Sequence, residues 1–206
     1  MRTTTIRSLT MLGFACLVTA SGACVSQQQY SLTAAERDSL AAVAAAQEAE
    51  LAQLQASYDS LTNLFEAEIA ANDLAVRQLV DGIQVDIPTD VLYQSGASGA
   101  SVGEEGQAFA VKIAEYLKGT DYFISVVGHT DSQQPLGTLA QRYPTNWELA
   151  AARAANAVKF LEAEGVDPTR MVASSRGQFE PIASNATEEG RAQNRRIQLI
   201  LRKLPE

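Results

Sequence analysis

Residues 31–80 form a run without a single proline or glycine, rich in Ala, Glu, Gln and Leu. A stretch of that length with no backbone breaker predicts one long helix. Leu40, Ala44, Gln47, Leu51, Leu54, Tyr58, Leu61 and Phe65 recur in alternating steps of four and three, the spacing of a heptad seam, and the register fades at Glu68 and Asn72. At about 1.5 Å per residue the rod would measure on the order of 75 Å. It can act as a solvated spacer or associate with a second copy, and the seam favours a homo-oligomer through residues 31–80. A rod buries no core of its own, so a globular domain must follow it. Gly82 is read as the end of the rod, after which Ile83, Val85 and Ile87 alternate with Gln84 and Asp86 as in a half-buried strand.

Beyond that strand the pattern changes period. Phe109, Ile113 and Leu117 make a helical stripe ending before Gly119, and residues 122–127 read as a buried strand. Thr145 and Glu148 have the spacing of a capping box, with Pro144 before them. The helix they open buries Ala150, Ala154, Ala157, Val158 and Leu161 and stops at Gly165. Residues 170–174 and 197–201 complete the strands. The predicted fold class is α+β, in the order β-α-β-α-β-β, a sandwich of helices on one face of a mixed sheet, and about 120 residues suffice for its core.

At the N-terminus, Arg2 and Arg7 precede an apolar run over residues 9–20 that is too short to span a bilayer. Ser21-Gly22-Ala23-Cys24 follows. Small residues directly ahead of a cysteine resemble the bacterial lipobox, with Ser21 where Leu is usual; the alternative is an ordinary signal peptide cut near Ala23. The resemblance implies removal of residues 1–23 and lipidation of Cys24, with Val25 at the next position favouring the outer membrane. The expected organisation is thus a lipoprotein signal peptide (1–23), a helical coiled-coil linker (24–81) and a globular domain (82–206).

Charge and composition exclude several classes. The formal net charge is -8, and no Lys/Arg block occurs even in the more cationic second half, so nucleic acid is not an expected partner. One histidine and no paired cysteine spacing argue against a metal site or other cofactor. His129 beside Asp131 invites an acid/base reading, but no Ser or Cys nucleophile completes a set, so no enzyme is expected.

The remaining pair is more informative. Asp131 stands just past a strand end, while Asn146 and Arg153, seven residues apart, project from one side of the next helix. A carboxylate and a guanidinium flanking one shallow cleft suit a zwitterion, the carboxylate taking an ammonium and the Arg fork taking a carboxylate. A structural salt bridge between the two is the competing reading.

Gly128-His129-Thr130-Asp131, then Asn146-x-x-Leu149-x-x-x-Arg153-Ala154, then Asn185-x-Thr187-x-x-Gly190-Arg191-Ala192-x-Asn194-Arg195-Arg196 together resemble the OmpA-like C-terminal domain over residues 83–203. This family includes the peptidoglycan-associated lipoprotein and the wall-binding part of the stator protein MotB, and the words around Tyr143 to Leu149 lie closest to the MotB branch. Ala150 stands where Ser is usual. The resemblance implies non-covalent binding of peptidoglycan through the diaminopimelate of the stem peptide. Asp131 would hold its amino group and Arg153 its carboxylate, with Thr130, Asn146, Leu149 and Arg195 at adjoining motif positions. It further implies a lipoprotein that faces the periplasm and tethers the outer membrane to the wall. The alternative is a scaffold or MotB-like stator whose coiled coil recruits a partner and whose C-terminal domain only localises it.

Overall fold

The structure, a computed structural model, describes residues 27–93 and 104–203. Cys24 and the leader lie outside the described residues. The chain divides into two compact units, Met1–Gln47 and Glu48–Glu206.

Helix α1 runs over Gln27–Leu64. In the first unit its residues from Ser31 onward are almost all exposed, including Leu32, Leu40 and Val43. In the second unit the same stripe meets a core. Leu54 and Leu61 are buried, as is Phe65 just beyond the helix, and Tyr58 packs beside them. The lower part of the predicted seam therefore packs on the chain's own domain rather than awaiting a second copy. Phe65 is tilted against Phe109 at 5.3 Å, and Lys112 lies over the Phe65 ring while its ammonium meets Glu68 at 2.6 Å.

The long helix also stops earlier than the composition predicts. After α1 comes the short α2 (Glu66–Ala70), and Asn72 then takes a left-handed φ of 62°, a conformation that Asn tolerates better than most residues. The Asp73 N–H closes the turn on the Glu68 carbonyl at 2.9 Å. The chain next forms strand β1 (Ala75–Gln78), which pairs antiparallel with β2 (Gly82–Pro88). Gly82 is thus not a helix terminator. It is the first residue of β2, and a Cβ there would meet the Leu201 carbonyl oxygen at 2.2 Å, so only glycine admits that close approach.

The rest of the domain keeps the predicted strands and two long helices in order, with three short helices added between them, one of these separating the last two strands. Helix α3 (Thr89–Leu92) is a single turn, and α4 (Glu104–Lys118) carries the Phe109, Ile113, Leu117 stripe. Strand β3 (Tyr122–His129) leads through α5 (Gly137–Arg142) to α6 (Asn146–Ala163). A 3-10 turn over Pro168–Arg170, β4 (Met171–Gly177), α7 (Glu188–Asn194) and β5 (Arg196–Lys203) complete it. The sheet order is β1-β2-β5-β3-β4, with β3 and β4 parallel across the α6 crossover and the other pairs antiparallel.

Strand alternation sorts the sheet's two faces. Ile83, Val85, Ile87, Ile124, Val126, Ile197, Leu199 and Leu201 form one buried face, and Ile113, Leu117, Ala154 and Leu161 of the helices join the same core. Each fully buried Leu or Ile contributes about 1.5–3 kcal/mol. The opposite face carries Asp86, buried between the Arg196 guanidinium at 3.4 Å and the Gln198 amide at 3.0 Å. Gly128 sets the height of α6 on the sheet: a Cβ there would lie 2.1 Å from the Ala150 carbonyl oxygen. That contact brings the end of β3 against the first turns of α6, where Asp131 and Arg153 reside.

Candidate functional site

The site grows from three chain segments that converge beyond the end of β3. In the first, Thr130 continues the line of β3, its N–H donating to the Gly177 carbonyl at 2.8 Å, while its hydroxyl donates to the Asp131 carbonyl at 2.9 Å. Asp131 follows, nearly buried. Its Oδ1 accepts the Gln133 N–H at 2.9 Å, and its Oδ2 accepts Arg195 Nη1 at 3.0 Å.

The second segment is the start of α6. The capping box read from the sequence is formed: the Thr145 N–H donates to the Glu148 carboxylate at 3.0 Å and the Thr145 hydroxyl accepts the Trp147 N–H at 3.2 Å. Asn146 is buried, and its Nδ2 reaches the carbonyls of Gln133 (3.0 Å) and Asp131 (3.3 Å) and the Gln178 side-chain oxygen (2.7 Å). Its amide thus staples the loop after β3 to the helix. Leu149 is buried one turn on. Arg153 is half-buried, with its guanidinium 5.9 Å from the centre of the Tyr93 ring, and the Tyr93 hydroxyl donates to the Arg153 carbonyl at 2.9 Å. Burial pulls the Arg153 pKa down, while Tyr93 and the carboxylates of Asp90 and Asp131 work the other way. Burial likewise pushes the Tyr93 hydroxyl up to about 12, so it stays a neutral donor.

The third segment is α7 and its entry loop. Thr187 caps α7 by accepting the Gly190 N–H at 3.1 Å, and a Cβ on Gly190 would strike the Ser184 carbonyl oxygen. The fully buried Asn194 side chain accepts from the N–H groups of Ile182 and Ala183 and donates to the Asn185 side chain, whose oxygen accepts the Ser132 N–H at 3.2 Å. The third sequence motif is thus a clamp on the loop that faces Asp131. It presents Arg195, which touches three carboxylates: Asp131 at 3.0 Å, Glu188 at 3.1 Å and Asp90 at 3.2 Å. Burial opposes the Arg195 charge, but the bonds to Asp131, Asp90 and Glu188 more than offset it and raise its pKa.

Of the six residues expected from the sequence, Asn146 and Arg195 bond Asp131, which follows Thr130, and Arg153 feels the charges of Asp131 and Arg195, with Leu149 between Asn146 and Arg153 on α6. Asp90, Tyr93, Gln178 and Glu188 belong to the same region and were not singled out from the sequence. Asp90 is fixed there because the N–H of Thr89, its neighbour, donates to the Arg195 carbonyl at 2.8 Å, a pairing between distant parts of the chain with no local signal. His129 points away into the buried far side, where burial first and the Arg196 charge second push its pKa down to about 4. At neutral pH it is an uncharged ring. Among the described residues no cluster of three or more His, Cys, Asp or Glu is arranged to hold a metal ion.

Two guanidinium groups interleaved with three carboxylates make a surface on which a zwitterion can exchange partners charge for charge. A family model described as OmpA family matches residues 97–195. Probable lipoprotein YiaD of Escherichia coli is 32% identical over 132 residues, covering 62% of this chain and 55% of that protein. Motility protein B of Bacillus subtilis is 29% identical over 132 residues, covering 63% and 49%. The chain spans about half the length of these curated relatives. Among solved structures, the cell wall anchor of the T6SS from Pseudomonas aeruginosa superposes with a TM-score of 0.63 at 38% identity, over 70% of this chain and 97% of that one.

Proposed function

Since the chain belongs to the OmpA family through residues 97–195, we propose that it binds peptidoglycan non-covalently through the diaminopimelate of the stem peptide. The observation that carries this reading is the convergence of Asp131, Arg153 and Arg195 at the mouth between β3, α6 and α7. The free end of diaminopimelate bears an ammonium and a carboxylate on one carbon. The ammonium goes to Asp131, sharing that carboxylate with Arg195 or displacing it. The ligand carboxylate goes to the Arg153 fork, which lies over the Tyr93 ring, while the Tyr93 hydroxyl ties down the Arg153 backbone carbonyl. Arg195 is not stranded when Asp131 turns to the ligand, because Asp90 and Glu188 still face it. No bond is made or broken; the site holds and releases.

The full proposal is a periplasm-facing lipoprotein, acylated at Cys24 and anchored in the outer membrane, whose domain grips the wall. Similarity to a relative named as a lipoprotein and to a cell wall anchor supports it. A second reading, a scaffold or stator-type protein localised by this domain, draws support from the similarity to Motility protein B. Among the described residues no helix is long and apolar enough to cross a membrane. Co-sedimentation of the full chain with purified sacculi tests the binding function, and intact-mass measurement of the mature protein tests the anchor. Failure to sediment with diaminopimelate-containing sacculi overturns the first, and an unmodified Cys24 thiol overturns the second.

A further inference from the structure

The Asp131–Arg195 contact fills the place that the peptide reading gives to an ammonium. The Asp131 side chain is 8% exposed and that of Arg195 22%. Both carboxylate oxygens are engaged, Oδ1 by the Gln133 N–H at 2.9 Å and Oδ2 by Arg195 Nη1 at 3.0 Å. A second cation set against so enclosed a carboxylate would face the guanidinium at close range, where like charges repel with little screening. Sharing is therefore the unfavourable arrangement, and an ammonium that reaches Asp131 has to move Arg195 aside.

The backbones on both sides of the pair are fixed. The Asp131 carbonyl accepts from the Thr130 hydroxyl at 2.9 Å and from Asn146 Nδ2 at 3.3 Å. The Arg195 carbonyl accepts the Thr89 N–H at 2.8 Å and the Thr89 hydroxyl at 3.1 Å, and the Arg195 N–H donates to the Arg191 carbonyl at 3.0 Å. The exchange thus falls to the Arg195 side chain, and a second seat for it is in place. Nη1 also meets Glu188 Oε1 at 3.1 Å, and Nη2 meets Asp90 Oδ2 at 3.2 Å. Arg191 steadies Glu188 through its other oxygen at 2.6 Å. Glu188 and Asp90 are 61% and 56% exposed, so a guanidinium drawn toward them moves from the enclosed end of its contacts to the open end.

We propose that Arg195 is a latch, a built-in competitor that occupies the ammonium position on Asp131 and is drawn off onto Asp90 and Glu188 when the ligand arrives. This rests on the peptide reading of the site and deepens it, from which groups hold the ligand to what the ligand must displace. Asp90 and Glu188 become positioning residues that act on the ligand through Arg195 without touching it. The latch also sets specificity. A plain amine has a single charge with which to displace the guanidinium, whereas a zwitterion adds the two-pronged contact of its carboxylate with Arg153, which offsets the contact disturbed at Asp131. Amines that lack the carboxylate are thereby kept out.

Calorimetry on the full chain would use two probes, meso-diaminopimelate and 1,5-diaminopentane, which is the same chain without its carboxylates. Arg195→Gln removes the competitor and should tighten diaminopimelate binding about three- to tenfold, and it should bring the diamine, silent on the wild type, into the measurable range. The Asp90→Asn, Glu188→Gln double variant removes the second seat and should weaken diaminopimelate binding by a similar factor. Added to Arg195→Gln, the same two substitutions should change nothing, because they act only through Arg195. A loss of equal size in that background would mean that the two carboxylates attract the ligand directly, and overturns the latch. Unchanged or weaker diaminopimelate binding in a folded Arg195→Gln chain overturns it as well, as does a wild type that binds the diamine as tightly as diaminopimelate. Should Arg195→Gln not fold, the double variant decides: wild-type affinity overturns the latch, and a loss without a lower unfolding midpoint supports it. Absence of diaminopimelate binding in the wild type and every variant overturns the peptide site and the latch with it.

Discussion

Arg195 Nη1 lies 3.0 Å from Asp131 Oδ2, so the carboxylate at the end of β3 has as its ion-pair partner a cation from the opposite end of the domain, 64 residues away. An arriving ammonium thus meets a site that is already neutralised, and binding is an exchange of partners rather than the filling of a bare charge. Such exchange favours specificity over raw affinity, because the ligand must repay the contact it disturbs.

Wall binding should depend on both ends of the zwitterion contact. Arg153→Ala removes a charge-assisted fork worth about 1.5–3 kcal/mol, which corresponds to roughly a tenfold loss of affinity or more. Arg153→Lys retains the charge but not the planar fork, so it should recover little. Asp131→Ala should weaken binding comparably while the fold persists. Sacculus binding measured beside thermal unfolding decides the matter: wild-type affinity in both Ala variants would leave Asp131 and Arg153 as purely structural charges.

Arg195→Ala is expected to act on stability as well. Asp131 is only 8% exposed and would keep a buried charge without its cation, a change that costs about 3 kcal/mol. Asp131→Ala is milder, since Arg195 retains Asp90 and Glu188. Urea midpoints for the two variants should therefore fall in that order, and the reverse order would show that Asp90 and Glu188 do not compensate Arg195 for the loss of Asp131.

How much of this could be read beforehand varies with the range of the interaction. The strands through Val85, Val126 and Leu199 and the helix capped by Thr145 and Glu148 follow from period and local chemistry, and the structure has them at those places. Strand β1 was hidden because Ala75, Arg77 and Gln78 are not strand formers; it exists because β2 offers an edge and Asn72 turns the chain toward it. The heptad seam was visible, but period alone does not say whether Leu61 and Phe65 face a second helix or the chain's own α4. The motif placed Arg195 near the site, whereas its pairing with Asp131, and the arrival of Asp90, depend on contacts spanning 64 and 105 residues.

His129 gives the domain a pH-dependent stability. Its pKa falls from 6.5 to about 4 on folding, chiefly through burial, so the unfolded chain binds the extra proton between those values. The stabilising contribution is complete above about pH 6.5 and is lost as pH falls toward 4, to a total of about 3 kcal/mol. His129→Gln should flatten the pH dependence of the urea midpoint between pH 7 and pH 5 relative to the wild type. Because carboxylates also titrate at the acid end, the difference between the two proteins is the quantity to follow. Parallel profiles would mean that the ring titrates alike in both states.

The seam of α1 should divide into two separable halves. Leu61 and Phe65 are 3% and 1% exposed and lie in the core, so Leu61→Ala should cost about 2–5 kcal/mol and Phe65→Ala about 3–5 kcal/mol, read as a lower unfolding midpoint. Leu40 and Leu51 of the seam, and Val43 beside it, are 64%, 57% and 55% exposed. If the chain self-associates, as proposed from the heptad spacing, these residues provide the interface, and replacing all three by Ser should yield a monomer whose domain melts as before. Sedimentation of the full chain at micromolar concentration, alongside thermal melts, separates the two effects. A wild-type chain that is monomeric throughout would make the exposed half a solvated spacer. A drop in midpoint for the triple Ser variant without a change in mass would show that this half packs on the domain after all.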